Sequence, residues 1–364
     1  SHVSESSETN VQQAGVVLMC SELQPNIDFF LGRLGFRLDR ISPADDPRLA
    51  LISGHGLVLE LRRDAEDSAG HVRMVCADPV AFAGEGGALI APNGTRIELL
   101  DAQSVLDLPV GTQELTVTRA GEHANWITGR AGMHYRDLIP GRWGGRFIAS
   151  NIKLPDGGPT PDSVHFHSIR FQMIFCTRGW VRVVYEGQGP PFVLEAGDAV
   201  LQPAGIRHRV LESSVGMEVV EIACPAEHDT YLDHELLLPT AGLWQDRVYS
   251  GQRFVRHIAR EAQRQAWELA GYEYRDVVIA EATGGLAGAR VVSAVGEPQM
   301  GQTLRTAEEF HLLYVLNGSV RLEGAGEDAI ALEPDDCVAL PAGLDLALVA
   351  GSPNLELLEI RLPG

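Results

Sequence analysis

The sequence is poor in basic residues, in cysteine and in long apolar runs, and each shortage excludes a class of protein. Its 29 lysines and arginines stand against 49 acidic residues, so the net charge is −20 and neither nucleic acid nor an anionic membrane is an expected partner. Five scattered cysteines favour reduced core thiols over a disulfide framework. No apolar run approaches the roughly 18 residues of a membrane span. The polar residues 1–13 predict a disordered start without a secretory signal.

A pair of histidines organises the rest of the chain. His165 and His167 form its only His-x-His, within PDSVHFHSIRFQMIFCTRGW, and in an extended strand such alternate side chains share one face. Gln172 begins the next apolar strand, and Gly179 permits a tight turn. About forty residues later, GDAVLQPAGIRH places His208 just after a Pro/Gly turn. Three such imidazoles predict a metal site, because neutral imidazole is a common ligand of Zn, Cu, Fe and Ni.

These segments resemble the two motifs of the cupin superfamily. The matching positions are His165, His167, Gly179, Gly197, Pro203, Gly205 and His208. Gln172 stands where the family usually has a glutamate ligand. The resemblance implies a double-stranded β-helix barrel in which the three histidines hold one divalent metal. Gln172 would be a weak fourth ligand or a hydrogen-bonding catalytic residue. The alternative is that the histidines are ordinary polar residues of a barrel wall.

The strand that begins at Gln172 also predicts part of a substrate pocket. Ile174 and Cys176 alternate with residues of the opposite face, so we expect them to point inward with Gln172 and to line the space above the metal.

The last third of the chain repeats the first barrel with an offset of 138 residues. EAGDAVLQPAG (195–205) recurs as EPDDCVALPAG (333–343), and EVVEIACP (218–225) recurs as ELLEIRLP (356–363). This repeat predicts a bicupin. The second barrel lacks the metal motif, because Leu304, Thr306 and Leu346 stand at the histidine positions. His311, at the place of Gln172, is a lone imidazole and is expected to be a pocket or core residue.

The first structured stretch resembles half of a glyoxalase, or vicinal oxygen chelate, domain. The predicted elements are a strand at 16–19, a helix at 23–34, and strands at 37–41, 49–52 and 57–61. LGF after the helix and a closing strand in APNGTRIELLD add to the likeness. The resemblance places ligands at Glu60, His71 and Glu98, but Val16 and Val17 stand where the first ligand belongs. We expect a non-catalytic domain, and the sequence leaves its metal binding open.

The predicted fold is mostly β, with two double-stranded β-helix barrels after an α+β domain of βαβββ type. The expected divisions are a disordered start (1–13), the glyoxalase-like domain (14–101), a linker (102–131), the metal-binding barrel (132–240) and the degenerate barrel (241–364). Residues 252–267 show near-helical spacing and predict either a helix or an irregular segment covering a sheet edge. His228 and His234, in an acidic exit segment, are expected to be solvated, and a role as ligands is the alternative.

These features together predict a function. Three neutral ligands leave a divalent ion with its full charge and with open positions for an anionic bidentate substrate. The resemblance implies the same, since bicupins with a three-histidine site and a silent second barrel include ring-cleaving dioxygenases of the gentisate type. We expect a cytoplasmic, homo-oligomeric Fe(II)-type dioxygenase for a small phenolic, diketone or keto-acid substrate, with Ni, Mn, Zn or Cu as other candidate metals. A metal-containing binding or sensing protein and a cupin isomerase or lyase are the alternatives.

Overall fold

The computed structural model describes residues 11–102, 108–121, 126–297, 302–326 and 328–362. Contacts divide the chain into two compact units, Ser1–Val105 and Leu106–Gly364. Most of the predicted disordered start, and parts of the predicted linker, lie outside the described residues. In the described ranges no helix is long and apolar enough to cross a membrane.

The first unit is a βαβββ segment followed by a shorter βαββ segment. Its elements are β1 (Val16–Cys20), α1 (Leu23–Asp28), β2 (Arg37–Ser42), β3 (Leu49–Gly54), β4 (Leu57–Arg63), β5 (His71–Cys76), α2 (Pro79–Ala83), β6 (Ala88–Ile90) and β7 (Arg96–Asp101). A π-helical turn (Phe29–Arg33) extends α1, so the helix predicted at 23–34 is confirmed, as are the strands around it. The two sheets have the orders β1-β4-β3-β2 and β5-β7-β6, and their inner faces share one apolar core around Phe30 and Ile97.

The ligands suggested for this unit do not converge. Glu60 lies on β4 and pairs with Arg62 and Arg40. His71 Nε2 lies 3.0 Å from Glu98 Oε2 on the other sheet. Within the described residues, the cluster of three or more His, Cys, Asp or Glu side chains that could hold an ion lies elsewhere. The glyoxalase resemblance therefore stays a prediction, and these three residues form no candidate metal site.

The second unit contains two barrels, each made of a large and a small sheet. The strands of the first are β9 (Ile127–Thr128), β10 (His134–Asp137), β11 (Ile148–Leu154), β12 (Gly158–Pro159), β13 (His165–Ser168), β14 (Phe171–Arg178), β15 (Trp180–Tyr185), β16 (Phe192–Glu195), β17 (Ala199–Leu201), β18 (His208–Ser213), β19 (Met217–Cys224) and β20 (Asp229–Leu232), with the short helical turn α3 (Arg142–Gly145) between β10 and β11. Together with β21 (Val255–His257), they form the sheets β21-β17-β14-β19-β11-β10-β9 and β16-β15-β18-β13-β20, and β12 pairs with β18.

The second barrel repeats this arrangement. Its strands are β22 (Arg264–Ala266), β23 (Tyr272–Asp276), β24 (Gly288–Ala294), β25 (Thr303–Arg305), β26 (Phe310–Asn317), β27 (Val320–Glu323), β28 (Ile330–Leu332), β29 (Cys337–Leu340), β30 (Asp345–Gly351) and β31 (Glu356–Leu362), with the short helix α4 (Ile279–Ala282) before β24. Together with β8 (Thr116–Thr118), they form the sheets β22-β23-β24-β31-β26-β29-β8 and β25-β30-β27-β28. The register also repeats, because Leu304 pairs with Leu346 as His165 pairs with His208.

Each barrel completes its large sheet with a strand from the segment that precedes the other barrel. In the predicted linker, β8 pairs with β29 of the second barrel, and β21 pairs with β17 of the first. The helix predicted at 252–267 is therefore wrong, because these residues form β21, a 3-10 turn (Ala259–Glu261) and β22. The alternative, a segment that covers a sheet edge, matches the structure, since an open edge offers unpaired backbone groups to a passing chain.

Apolar side chains fill the space between the barrels and the interior of the second one. Phe147, just before β11 of the first barrel, stacks on Phe310 of β26 in the second with ring centroids 4.6 Å apart, within a continuous buried cluster. A separate cluster inside the second barrel includes Leu304 and Leu346, at the positions that carry histidines in the first. Burying each such side chain stabilises the fold by about 1.5–3 kcal/mol. The second barrel is thus closed by leucine where the first is open.

Candidate metal centre

The His-x-His pair lies on β13, and strand alternation turns both imidazoles to the barrel interior. Phe166, between them, points the other way and stacks on Tyr231 of β20 with ring centroids 5.2 Å apart. His165 is 2 % exposed. The short strand therefore presents two ring edges to one point inside the barrel.

The turn before β18 brings the third imidazole to the same point. His208 begins β18 and is the direct cross-strand partner of His165. The amide of Gly205 donates to the carbonyl oxygen of His167 over 3.0 Å, which ties the turn to β13. Gly205 has φ +83°, a left-handed conformation that glycine adopts without steric cost, so the motif glycine is required here.

The three histidines form a compact cluster. Their candidate ligand nitrogens all lie within 4.8 Å of one another. The ring centroid of His208 is 4.2 Å from that of His165 and 5.3 Å from that of His167. The described residues contain this one group with metal-ligand geometry, and it consists of the three histidines predicted as ligands.

Hydrogen bonds fix which ring nitrogen carries the lone pair that an ion needs. Nδ1 of His165 donates to the carbonyl of Ser163 at 2.8 Å, and Nδ1 of His208 donates to that of Ile206 at 2.9 Å. Nδ1 of His167 lies 3.0 Å from Thr230 Oγ1. Because a carbonyl only accepts, the first two Nδ1 atoms carry the proton and their Nε2 atoms keep a lone pair. Such bonds orient histidine ligands in metal sites, so the residues present fit a metal ion.

The cluster also favours neutral imidazoles. Burial lowers the pKa of His167 to about 3, helped by the neighbouring His165 and His228. Burial lowers the pKa of His208 well below its ordinary value, and burial together with Arg130 lowers that of His165. All three rings are therefore unprotonated at neutral pH, which is the form that ligates metals.

Gln172 lies beside the cluster on β14 and is 2 % exposed. Its Nε2 donates to Oε2 of Glu221 over 3.1 Å, and its Oε1 has no hydrogen-bond partner within the described structure. An orphaned buried acceptor costs about 1–3 kcal/mol, so an ion or a ligand donor would relieve it. Burial raises the pKa of Glu221, although Gln172 and His228 oppose the rise.

The cluster borders a cavity of about 300 Å³ whose walls are largely aliphatic. The aliphatic side chains include Ile148, Ile152, Ile174, Val183, Leu194 and Val219. Gln172 lines the cavity together with the histidines, and Tyr185 closes one side by stacking on His208 at 5.3 Å. Its hydroxyl donates to Oε1 of Gln202.

The two predicted pocket residues have different places. Ile174 lines the cavity, whereas Cys176 is fully buried and is not among the lining residues. The pairing of β14 with β19 shifts register between Cys176 and Arg178, and the thiol donates to the carbonyls of Arg178 and Gly179 at 3.6 Å each. Burial raises the pKa of this thiol to about 12. Cys176 points inward as predicted, because it still pairs regularly with Val219 and packs in the apolar cluster inside the barrel. It is not among the residues that line the cavity, so its predicted contact with the substrate stays a prediction.

The sequence interpretation missed three residues of the site. His228 lines the cavity with its ring 5.4 Å from that of His167, so its assignment to the solvated exit segment is wrong, whereas His234 is exposed as expected. Arg130 and Glu221 also line the cavity. Glu221 did carry a signal, since the repeat of 138 residues places Glu359 at the equivalent position.

The second barrel keeps a polar pair where the first has Gln172 and Glu221. His311 Nε2 lies 2.9 Å from Glu359 Oε2, and both side chains are at most 1 % exposed. Arg361 donates to the same oxygen at 3.0 Å. His311 is a core residue, as expected, and the described part of this barrel brings no second imidazole to it.

Comparison with known proteins identifies the fold. No protein-family model matches the chain, and no curated protein sequence matches it. A mutant of Bacillus subtilis oxalate decarboxylase superposes with a TM-score of 0.50 at 14 % identity, over 70 % of this chain and 78 % of that one. A glyoxylate-induced protein from Pseudomonas aeruginosa superposes with a TM-score of 0.48 at 14 % identity, over 71 % of this chain and 92 % of that one. With the strand orders above, the first likeness shows a bicupin fold.

Proposed function

We propose that the first barrel is the active site of a metal-dependent enzyme, an Fe(II)-type dioxygenase for a small, oxygen-rich substrate. The observation that supports it is the cluster of three neutral imidazoles at the edge of an aliphatic cavity. His165, His167 and His208 would hold the ion, and Gln172 Oε1, which has no hydrogen-bond partner and belongs to the same cavity lining, would be a further oxygen ligand. A divalent ion held by neutral ligands would act as a strong Lewis acid with open coordination positions, and iron would also supply redox chemistry.

The cavity favours a substrate with an apolar body. A volume of about 300 Å³ is at the lower end of small-molecule sites. Its aliphatic walls make no favourable contact with a very small dianion. The activity in the name of the oxalate decarboxylase neighbour therefore does not fit these walls well. A phenolic, diketone or keto-acid compound with a ring or alkyl chain places its oxygens at the histidines and its carbon skeleton against the walls.

The residues around the histidines would handle the rest of the reaction. Aliphatic side chains exclude water from the substrate, which strengthens electrostatic interactions inside the cavity. Glu221, with its raised pKa, lies where a proton could be held next to the substrate oxygens. The five cysteines are all free, and we propose a reducing, cytoplasmic setting in accord with that.

Oxygen uptake by the iron-loaded full chain tests the proposal. Catechols, salicylates, β-diketones and α-keto acids form the panel, and His167→Ala is the control without a complete site. We expect oxygen consumption with at least one class and none with the variant. Tight binding without turnover would instead support a binding or sensing protein, and product formation without oxygen uptake would support an isomerase or lyase.

A further inference from the structure

Arg130 lies beside the histidine cluster although it belongs to neither motif. It begins a 3-10 turn (Arg130–Gly132) between β9 and β10. Its Nη2 donates to Nε2 of His165 over 3.1 Å, and its Nη1 donates to Oδ1 of Asp162. The guanidinium is thus tied to a metal-site histidine, while 37 % of the side chain remains exposed and borders the cavity.

Asp162 fixes the guanidinium in this place. Its side chain is fully buried, and its two oxygens also accept the backbone amides of Ser163 and Val210 at 2.9 Å each. A buried carboxylate with three donors is held firmly, and hydrogen bonds to a charged group are the strong ones. Arg130 therefore stays next to the cluster even when its bond to His165 is broken.

The bond between Arg130 and His165 uses the lone pair that an ion needs. Nδ1 of His165 carries the ring proton, so Nε2 is the one acceptor of this imidazole. An ion and Arg130 cannot both occupy it. Metal binding would therefore free one guanidinium nitrogen, and the ion pair with Asp162 would keep it at the cavity.

We infer that Arg130 anchors the substrate through a carboxylate, so that the substrate class is a carboxylic acid with a hydroxyl or keto oxygen next to the carboxylate. The inference rests on the proposed function, since it assigns the anionic end of the substrate. The fork of a guanidinium matches a carboxylate in shape and charge. Of the other titratable residues at the cavity, Glu221 carries no positive charge in either protonation state, and Arg209 is exposed.

Salicylate and salicylamide provide the test, because they share a ring and a hydroxyl and differ in carboxylate against carboxamide. Each is titrated into the Co(II)-loaded full chain and followed by the visible spectrum of the cobalt. We expect Arg130→Gln to weaken salicylate binding about 10- to 100-fold and to change salicylamide binding less than about threefold. We also expect this variant to bind Co(II) about 3- to 10-fold more tightly, because a competing donor and a repelling charge are gone.

Two further variants serve as controls. Arg130→Lys keeps the charge without the fork, so salicylate affinity should be intermediate. Arg182→Gln removes an arginine that pairs with Glu212 and alternates with cavity-lining valines of β15, and it should behave as wild type.

Several outcomes would overturn the inference. They are an unchanged salicylate affinity in Arg130→Gln, an equal loss of both probes, and a cobalt spectrum that does not respond to salicylate in wild type. Oxygen uptake scores the proposed function separately. If Arg130→Gln weakens salicylate binding and the chain consumes no oxygen, the role of Arg130 stands and the proposed dioxygenase activity falls. If the chain consumes oxygen and Arg130→Gln leaves salicylate binding unchanged, the activity stands and the role of Arg130 falls.

Discussion

Replacing Gln172 by Glu adds a charge at the metal centre without changing the size of the side chain. In the native chain, Gln172 Nε2 donates to Glu221 Oε2 over 3.1 Å, and Oε1 is the orphaned acceptor. In Gln172→Glu, a carboxylate oxygen replaces Nε2 and lies about 3 Å from Oε2 of Glu221, at the edge of the hydrogen-bond range. Two acids then face each other in a buried site that also receives the ion.

Charge repulsion decides how this pair is protonated. With an effective dielectric constant of about 20, two unit charges about 3 Å apart repel by about 5 kcal/mol. Keeping an ordinary glutamic acid protonated at about pH 7 costs about 4 kcal/mol, and burial already raises the pKa of Glu221. The metal-free variant should therefore carry one proton on the pair at neutral pH, and a divalent ion should displace it.

Calorimetry in two buffers of different ionisation enthalpy counts the protons released on metal binding. We expect about one more proton from Gln172→Glu than from wild type, and a metal affinity that rises about tenfold per pH unit near neutrality. Turnover should be slower, because the carboxylate lowers the Lewis acidity of the ion. Gln202→Glu is the matched control, since Gln202 lines the same cavity but accepts from Tyr185 rather than facing Glu221.

Equal proton release by wild type and Gln172→Glu, with one ion bound to each, would refute the reasoning, because Gln172 would then not stand beside the ion. Loss of folding, seen as a lower melting temperature with no metal bound, would show that Gln172 only satisfies a polar group of the barrel wall.

Three further predictions concern His311, His228 and His167. His311→Gln should leave metal content at one ion per chain, because no second imidazole reaches His311 in the described part of the second barrel; a second ion lost in this variant would contradict this. His228→Phe should also keep one ion, since His228 is not in the ligand cluster, and loss of the ion would make it a ligand. Metal-free protein should lose stability as pH falls from 6.5 towards 3, because unfolding exposes His167 and lets it take up a proton that it resists when folded. Measured by denaturant unfolding, the free energy of unfolding should change by at most about 1.4 kcal/mol per pH unit because of this residue, and His167→Gln should reduce that slope.

The sequence predicted the ligands because their positions follow from local rules. The period of two in a strand puts His165 and His167 on one face, and a turn that needs glycine at position 205 places His208 next to them. The repeat of 138 residues likewise predicted a second barrel without the metal motif, and the structure pairs Leu304 with Leu346 at two of the histidine positions. These features depend on neighbours in sequence and on the repeat, so a single chain reveals them.

The rest of the site depends on contacts between distant segments. Arg130 reaches His165 from a turn 35 residues earlier, and only the packing of β9 and β10 on the barrel brings it there. His228 precedes β20, a strand with no counterpart among the described strands of the second barrel, so the repeat offered no template for it. Strands β8 and β21, each of which pairs with the barrel that it does not directly precede, are short and partly polar. Their partners depend on which sheet edges remain open, and the local sequence does not show this.

Metal content tests the central claim most directly. The full chain is loaded anaerobically with Fe(II) or Co(II), freed of excess ion and measured for metal per chain and for nitrogen ligation by X-ray absorption. The account predicts one ion per chain with three imidazole nitrogens at about 2.0–2.2 Å, and loss of that ion in His165→Ala, His167→Ala and His208→Ala. A wild-type chain that binds no ion would contradict it. So would a triple variant that lacks all three histidines and still binds an ion.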